Sequence, residues 1–420
     1  MGHRAYENQA PFSFGKNEDM GKTRKIYALC PAPYALKALK IQHLFPFLNQ
    51  FVYTLSYSFA MYGILINGAG WVARQHAAAY RNRPDCRIVA INDISRDKAQ
   101  RLAGELGLEG IGLYDDLAAA LRHENIDIVS VCTPQHVHCE NVVQIAGAGK
   151  HIVIEKPVAT TLAELRLMRD AVDAAKVKTV VSFVLRWNPL LVQLKKMLTD
   201  GVFGKPYYVE VDYMSYNGSW WGGWNEARTV RQGVSASLVA GCHAIDAARW
   251  LASTEPGKAA IPVEVYAVSG GFRKGKTREY NPLTNTWIDD APPMEYDGLE
   301  VILVKFADGA QAKICVNAEC VMPYRFPIRI FGDHGTAVDN KIWSQSFPCQ
   351  TDWVEIPTIC PDSSDVSHHP FQAEIDHFID CITQNVESHC NLEDAIRSHE
   401  VVFAALECYK NRRPVELPPE

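Results

Sequence analysis

From Met61 onward, short apolar runs alternate with stretches whose apolar residues recur at helical spacing. The runs are Tyr62–Asn67 (YGILIN), Arg87–Asn92 (RIVAIN), Ile126–Val131 (IDIVSV), His151–Ile154 (HIVI) and Thr179–Phe183 (TVVSF). Their near-continuous apolar character predicts strands buried on both faces. Between them ARQHAAAYRNR, DISRDKAQRLAGEL, LYDDLAAALRH, ENVVQIAGAGK and LAELRLMRDAVDAAK read as helices. Thr161-Leu162-Ala163-Glu164 has capping-box spacing at the head of the last one. Strands and helices in alternation predict a parallel, doubly wound sheet with right-handed crossovers.

The rhythm changes at Val184. VLRWNPLLVQLKKMLTDG reads as one helix ending at a glycine. Longer strand-like runs follow: PYYVEVDYMSY, VEVYAVSGGF, LEVILVKFADGAQAKICVNAEC and YRFPIRIFGDHGTAVD. Their apolar–polar alternation predicts an open antiparallel sheet, with ADGA and GDHG as hairpin turns. The fold class is therefore α/β. Residues 61–184 form a doubly wound nucleotide-type domain, and residues 185–420 an α/β domain with a large, mainly antiparallel open sheet.

Residues 1–60 show no clear period. From Ile41 to Ala60 the chain is uncharged apart from His43, with Lys37 and Lys40 before it. In outline this resembles a signal peptide, or a membrane span weakened by Pro46, Asn49 and Gln50. The strand after Met61 is complete without anything upstream, so 1–60 is read as a poorly structured or non-native extension, and no membrane is expected as a partner.

Composition adds exclusions. A chain of 420 residues that is 47% apolar and 21% charged is ordinary for a globular protein. A net charge of −6 does not suggest a nucleic-acid binder. The twelve cysteines form no C-x-x-C pair and no structural-zinc spacing, and several sit inside apolar runs. They read as reduced thiols in a cytoplasmic protein.

The chemistry begins at Gly68-Ala69-Gly70-Trp71-Val72-Ala73, a G-x-G-x-x-A turn between a strand and a helix. The first glycine permits the tight turn and the second lets a pyrophosphate approach the backbone. Ala73 keeps helix and strand close, and the anion rests on the helix N-terminus. Asp93 ends the second strand, twenty residues past Ala73. Its carboxylate suits the adenosine ribose hydroxyls of NAD, or it caps the helix that follows. Ile94 continues the same loop, and Arg96 can instead hold the 2′-phosphate of NADP.

Further candidates follow. From spacing alone, Glu155-Lys156 is an exposed pair ending a strand, and His243, in GCHAID before an apolar helix, is a structural histidine. Asp246 lies one helical turn on and can orient that ring or simply support the fold. Trp220, Trp221 and Trp224 suit stacking on sugar C–H faces as well as core packing or a subunit contact. Arg228 and Arg231 suit a substrate carboxylate or a neighbouring subunit. The adjacent His368 and His369 suggest metal ligands, but consecutive residues rarely converge on one ion and no metal is expected.

Three stretches together, GAGWVA, TPQHVHCENVVQIAGAGKHIVIEKP and AGCHAIDAARWL, resemble the Gfo/Idh/MocA oxidoreductases, the glucose–fructose oxidoreductase and inositol dehydrogenase family. The likeness runs from Met61 to about Pro418 and implies an N-terminal Rossmann domain. It implies that Lys156 and His243 are catalytic and lie against the substrate. It places Thr133, Pro134, His138, Glu155 and Arg186 around the cofactor, and Arg186 and Trp187 in the cleft. A lysine carries protons near neutral pH where burial or a neighbouring cation favours its neutral form, and a histidine does so by its ordinary pKa. The resemblance implies hydride transfer between NAD(P) and a secondary alcohol of a sugar, sugar acid or cyclitol, in a homodimer or homotetramer. Relatives that use NAD transiently to cleave glycosides, and a non-catalytic dinucleotide or sugar sensor, are the alternatives. Family members often carry aspartate four residues before the histidine; this chain has Val239.

Overall fold

The computed structural model describes residues 61–218, 223–281, 284–358 and 369–418. The first segment winds β1 (Tyr62–Asn67), α1 (Trp71–Arg81), β2 (Cys86–Asn92), α2 (Arg96–Glu105), β3 (Gly112–Tyr114), α3 (Leu117–Ala120), β4 (Ile128–Val131), α4 (His138–Gly147), β5 (His151–Ile154), α5 (Leu162–Ala175) and β6 (Thr179–Val181). All six strands are parallel, in the order β3-β2-β1-β4-β5-β6. That is the doubly wound Rossmann order, whose direction of winding reverses between β1 and β4. The central strands are buried on both faces, as their apolar runs require. At α5, Thr161 Oγ1 accepts the Glu164 N–H (3.2 Å), while the Glu164 carboxylate reaches Thr160 rather than Thr161. The capping box is thus displaced by one residue at its acidic end.

The stretch read as one helix from Val184 is two elements. A 3-10 turn, Val184–Trp187, ends at Asn188, and α6 (Pro189–Thr199) starts at the proline. Pro189 pushes Asn188 out of the helical region (ψ 133°), and the Asn188 side chain caps the new helix at Leu190 N–H.

The second segment continues with β7 (Pro206–Val211), β8 (Tyr213–Met214), α7 (Trp224–Ala227), α8 (Cys242–Leu251), β9 (Pro262–Gly270), β10 (Glu279–Asn281) and β11 (Thr286–Ile288). After these come β12 (Leu299–Phe306), β13 (Gln311–Asn317), β14 (Ile328–Gly332), β15 (Gly335–Val338), β16 (Lys341–Ser344) and β17 (Val354–Glu355), then α9 (Phe371–Gln384), α10 (Leu392–Asn411) and β18 (Val415–Glu416). Ten strands form one sheet, ordered β17-β16-β15-β14-β7-β13-β12-β9-β18, with β8 beside β13. It is antiparallel except where β13 meets β7 and β8. The ADGA and GDHG turns join β12 to β13 and β14 to β15.

Each sheet has its own apolar core. Ile375, Phe378 and Ile379 of α9, and Cys242 of α8, pack into the core of the nucleotide domain. The chain's last helices therefore return to the first domain. Among the described residues no helix is long and apolar enough to cross a membrane.

Candidate active site

The site is built where the winding reverses. Gly68 follows β1 with φ +98°, and a Cβ there would lie 2.7 Å from the backbone of Cys132 at the end of β4. The turn thus needs glycine both for its left-handed backbone and for the close approach of two strand ends. Gly70 differs: a Cβ there would meet nothing within 4 Å. It is the N-cap of α1, with no side-chain cap and no acidic residue in the first turn, so the helix's first N–H groups remain free for an anion. An open cradle over an uncapped helix N-terminus fits the pyrophosphate of a dinucleotide. Trp71 is 45% exposed, and Val72 and Ala73 follow it in that first turn.

The Asp93 carboxylate braces the turn. Oδ2 accepts the Ala69 N–H and Oδ1 the Ser95 N–H, both at 2.8 Å. Each oxygen keeps a lone pair for a ribose hydroxyl. Ile94 beside it is almost fully exposed and Arg96 opens α2 at the surface. A cleft of about 210 Å³ here is lined by Ala69, Gly70, Trp71, Arg74, Lys98 and Arg101. Arg74 is paired to Glu105 (2.7 Å).

At the far side of the switch point, Thr133 and Pro134 follow β4. Thr133 Oγ1 donates to Asn141 Oδ1 (2.9 Å), and Asn141 also accepts from Asn67 on β1 (3.0 Å). His138 does not face the cleft. It is buried, with Nδ1 3.0 Å from Pro157 O and Nε2 2.7 Å from Thr133 O, so it braces two site loops instead of touching a cofactor. Glu155, also buried, bonds through Oε1 to His76 Nε2 (2.9 Å) and accepts the Lys156 N–H at Oε2 (3.1 Å). Burial would raise its pKa, but the His76 bond and the charges of His76, Lys156 and His138 hold it below the usual carboxylate range.

Lys156 is half-buried and its Nζ donates to Val239 O at 3.4 Å. Val239 lies in a π turn, Ser237–Gly241, that leads into α8. Such turns shift the helical hydrogen-bond ladder by a residue and recur at functional sites. Here the backbone carbonyl, not a side chain, meets the ammonium. The position that often carries aspartate in the family therefore still supplies an oxygen to the lysine.

His243 opens α8 and is buried among rings: Phe183 at 6.1 Å, Phe326 at 6.3 Å and His369 at 6.1 Å between centroids. Its Nδ1 has no hydrogen-bond partner. Burial first, then the Lys156 and His369 charges, push its pKa well below the usual histidine value. The ring is neutral at physiological pH, with a bare polar atom in an aromatic enclosure.

Four expectations do not fit this geometry. Arg186 is buried and engaged by carboxylates. Nε and Nη2 meet Asp246 at 2.8 and 2.6 Å, and the guanidinium also meets Asp394 and His389 O. Four of its five N–H donors are held within the protein, which marks it as a buried support rather than a cofactor contact. Asp246 is fully buried against Arg186 and Ser398, so it does not orient His243. Trp187 is buried against His377 and His389 (5.6 and 5.2 Å). Arg228 is buried too and paired through Nη1 and Nη2 with Pro292 O and Glu279, while its Nε has no hydrogen-bond partner among the described residues. Trp220, Trp221 and His368 lie outside the described residues.

Sequence reasoning missed His369 and Tyr324, whose rings stack at 5.9 Å and 11° beside His243. The adjacent histidines were visible, but only the return of α9 to the first domain brings His369 to the site. Among the described residues no cluster of three or more His, Cys, Asp or Glu could hold a metal.

A 3-2-1-4-5-6 sheet with a dinucleotide cradle, a lysine at the end of β5 and a buried neutral histidine defines a nicotinamide-dinucleotide oxidoreductase. The chain belongs to the Gfo/Idh/MocA oxidoreductase family: residues 62–183 match its NAD-binding Rossmann-fold domain and residues 195–417 its C-terminal alpha/beta domain. It is 25% identical over 336 residues to the scyllo-inositol 2-dehydrogenase (NAD(+)) of Bacillus subtilis, covering 80% of this chain and 90% of that one. It is 27% identical over 362 residues to the D-apiose dehydrogenase of Paraburkholderia graminis, covering 84% and 89%. Among solved structures, an oxidoreductase from Agrobacterium radiobacter, in complex with NAD+, L-tartaric acid and magnesium, superposes with a TM-score of 0.68 at 18% identity, over 85% of this chain and 98% of that one. An oxidoreductase domain protein from Kribbella flavida gives 0.72 at 20%, over 86% and 100%. At these identities the structural likeness speaks for the fold.

Proposed function

We propose that this protein oxidises or reduces a secondary alcohol of a sugar, sugar acid or cyclitol, with Lys156 and His243 handling the hydroxyl proton. The observation that carries the reading is the contact of Lys156 Nζ with Val239 O, which brings the end of β5 to the head of the helix bearing His243. The bound dinucleotide supplies or accepts the hydride. The chain's own residues do the rest. The uncapped N-terminus of α1 holds the pyrophosphate and Asp93 the ribose. In the oxidative direction the neutral His243 accepts the hydroxyl proton as hydride leaves the same carbon, and Lys156 holds the oxygen that becomes a carbonyl. In reduction the proton returns by the same route. The names of the inositol and apiose relatives support the substrate class.

The uncovered face of the second sheet is where a further copy docks, as a homodimer or homotetramer. Across that face Tyr266 pairs with Leu303, Leu303 with Lys313, Lys313 with Glu210 and Glu210 with Arg329. The row is apolar at one end, where Tyr266 and Leu303 are exposed, and ionic at the other. A two-fold partner could cover both halves at once. The ten described cysteines are free thiols, which suits a reducing cytoplasm.

The test is formation of reduced cofactor with NAD and then NADP against a panel of sugars, sugar acids and inositols. Lys156→Ala should lose at least about a hundredfold in kcat while keeping its NAD affinity. Full activity in that variant removes the lysine from the chemistry. Tight NAD binding with no net reduced cofactor on any substrate would move the reading to transient-redox glycoside cleavage or to a sensor. NADP use equal to that of NAD would assign the exposed Lys98 and Arg101 to a 2′-phosphate.

A further inference from the structure

The loop that carries Lys156 is held by three buried histidines from three helices. His76 of α1 holds Glu155, His138 of α4 approaches Pro157 O, and His399 of α10 accepts the Val158 N–H at Nε2, 3.0 Å away. The last bond fixes its own chemistry. A backbone N–H can only donate, so Nε2 is bare and Nδ1 carries the hydrogen. Nδ1 indeed faces Ala395 O at 3.0 Å, one helical turn back. Burial, with the charges of His138 and Arg249, pushes the His399 pKa down to about 4, against the Ala395 bond, so the ring stays neutral as this geometry requires.

The residue before it completes the picture. Ser398 Oγ donates to Asp246 Oδ1 at 2.9 Å, and Asp246 lies on α8, one turn after His243. Adjacent residues of α10 thus hold the lysine loop and the histidine helix, which are otherwise separate in the sequence. Asp394 fastens the same helix to Arg186 and Arg249.

We propose that Ser398 and His399 form a positioning device that sets Lys156 against His243, with His399 as a positioning residue for the reaction. The inference rests on the reading that Lys156 and His243 move the proton. A far-off residue can matter this much because small misplacements of reacting groups cost large factors in rate. α10 belongs to the second domain's core as well, so the device ties the substrate domain to a loop of the nucleotide domain.

The test uses the full chain in three forms. His399→Leu removes the acceptor, His399→Gln keeps an oxygen near it, and Ser398→Ala cuts the bonds to Asp246 and to Arg249 Nη1. The readouts are kcat, KM, NAD affinity, melting temperature and amide hydrogen exchange of the peptide containing Val158. His399→Leu should lower kcat about tenfold or more, leave NAD affinity within about twofold and speed exchange at Val158. His399→Gln should recover most of both losses. Should His399→Leu fail to fold, Ser398→Ala carries the test, with the same fall in kcat at unchanged NAD affinity. Unchanged kcat despite faster exchange at Val158, or losses in both His399 variants that simply follow melting temperature, would overturn the proposal. Lys156→Ala separates the two readings. If it is inactive while the His399 and Ser398 variants are unimpaired, only the positioning role falls; if it is fully active, the catalytic reading falls first.

Discussion

Two glycines two positions apart do different work. Gly68 is needed by the chain: its φ of +98° and the Cys132 backbone 2.7 Å from a would-be Cβ leave no room for another residue. Gly70 is needed by the ligand, since nothing in the protein occupies its Cβ direction. Gly68→Ala should therefore cost at least about 2 kcal/mol of stability in denaturant unfolding. Gly70→Ala should unfold within about 1 kcal/mol of the parent yet bind NAD about tenfold more weakly by calorimetry. Equal behaviour of the two variants would contradict this division. Lys156 teaches a similar lesson at the other end of the cleft. A valine there says nothing of an oxygen, because the oxygen is its carbonyl, turned toward Nζ by the π turn.

At the scale of elements, α8 is gripped from behind. Arg186, Asp246, Arg249, Asp394 and Ser398 form one buried network linking the 3-10 turn after β6, α8 and α10. Buried charges of this kind are costly to strand, whatever their net contribution when paired. Asp246→Ala removes two of the four hydrogen bonds of Arg186 and should destabilise the protein by about 3–5 kcal/mol in urea titration. A loss under about 1 kcal/mol would mean that Asp394 and His389 O together satisfy the guanidinium. The spacing His243–Asp246 was legible in the sequence and suggested a ring and its orienting carboxylate. The fold instead turns that carboxylate toward Arg186, sixty residues upstream. Helical spacing fixes which residues share a face but not what comes to lie against it.

At the scale of the whole molecule, buried neutral histidines make the fold acid-sensitive. His389 and His399 are pushed down to about 3 and about 4, chiefly by burial, and His138 and His243 are lowered too. Below the ordinary histidine value of about 6.5 the unfolded chain takes up protons that the folded chain refuses, so stability falls as pH drops through that range. Between pH 7 and pH 5 the His389 and His399 pair should each remove about 2 kcal/mol. Glu374, raised to about 7 by burial, works in the opposite sense and offsets part of this, because its folded carboxyl keeps a proton that the unfolded one releases. Urea midpoints at the two pH values measure the net effect, and a higher midpoint at pH 5 would refute it. For the assembly, Leu303→Arg on the open sheet face should yield a folded protein of single-chain mass by light scattering. An unchanged larger mass would place the subunit contact elsewhere.

Beyond Lys156, which only the family resemblance singled out, the sequence by itself determined most of the order of elements, the doubly wound sheet and the glycine cradle. These depend on local periodicity and on turns of a few residues, where side-chain pattern and backbone geometry are directly linked. Only the tertiary structure decided that Arg186, Asp246 and Trp187 are buried supports, that His138 braces the site loops, and that His369 and Tyr324 wall it. It alone brought Val239 O to Lys156 and His399 to Val158. The physical reason is common to all of these. Whether a charged or aromatic side chain faces a ligand or a buried partner depends on which distant elements pack over it, and here α9 and α10 return from the far end of the chain to do so.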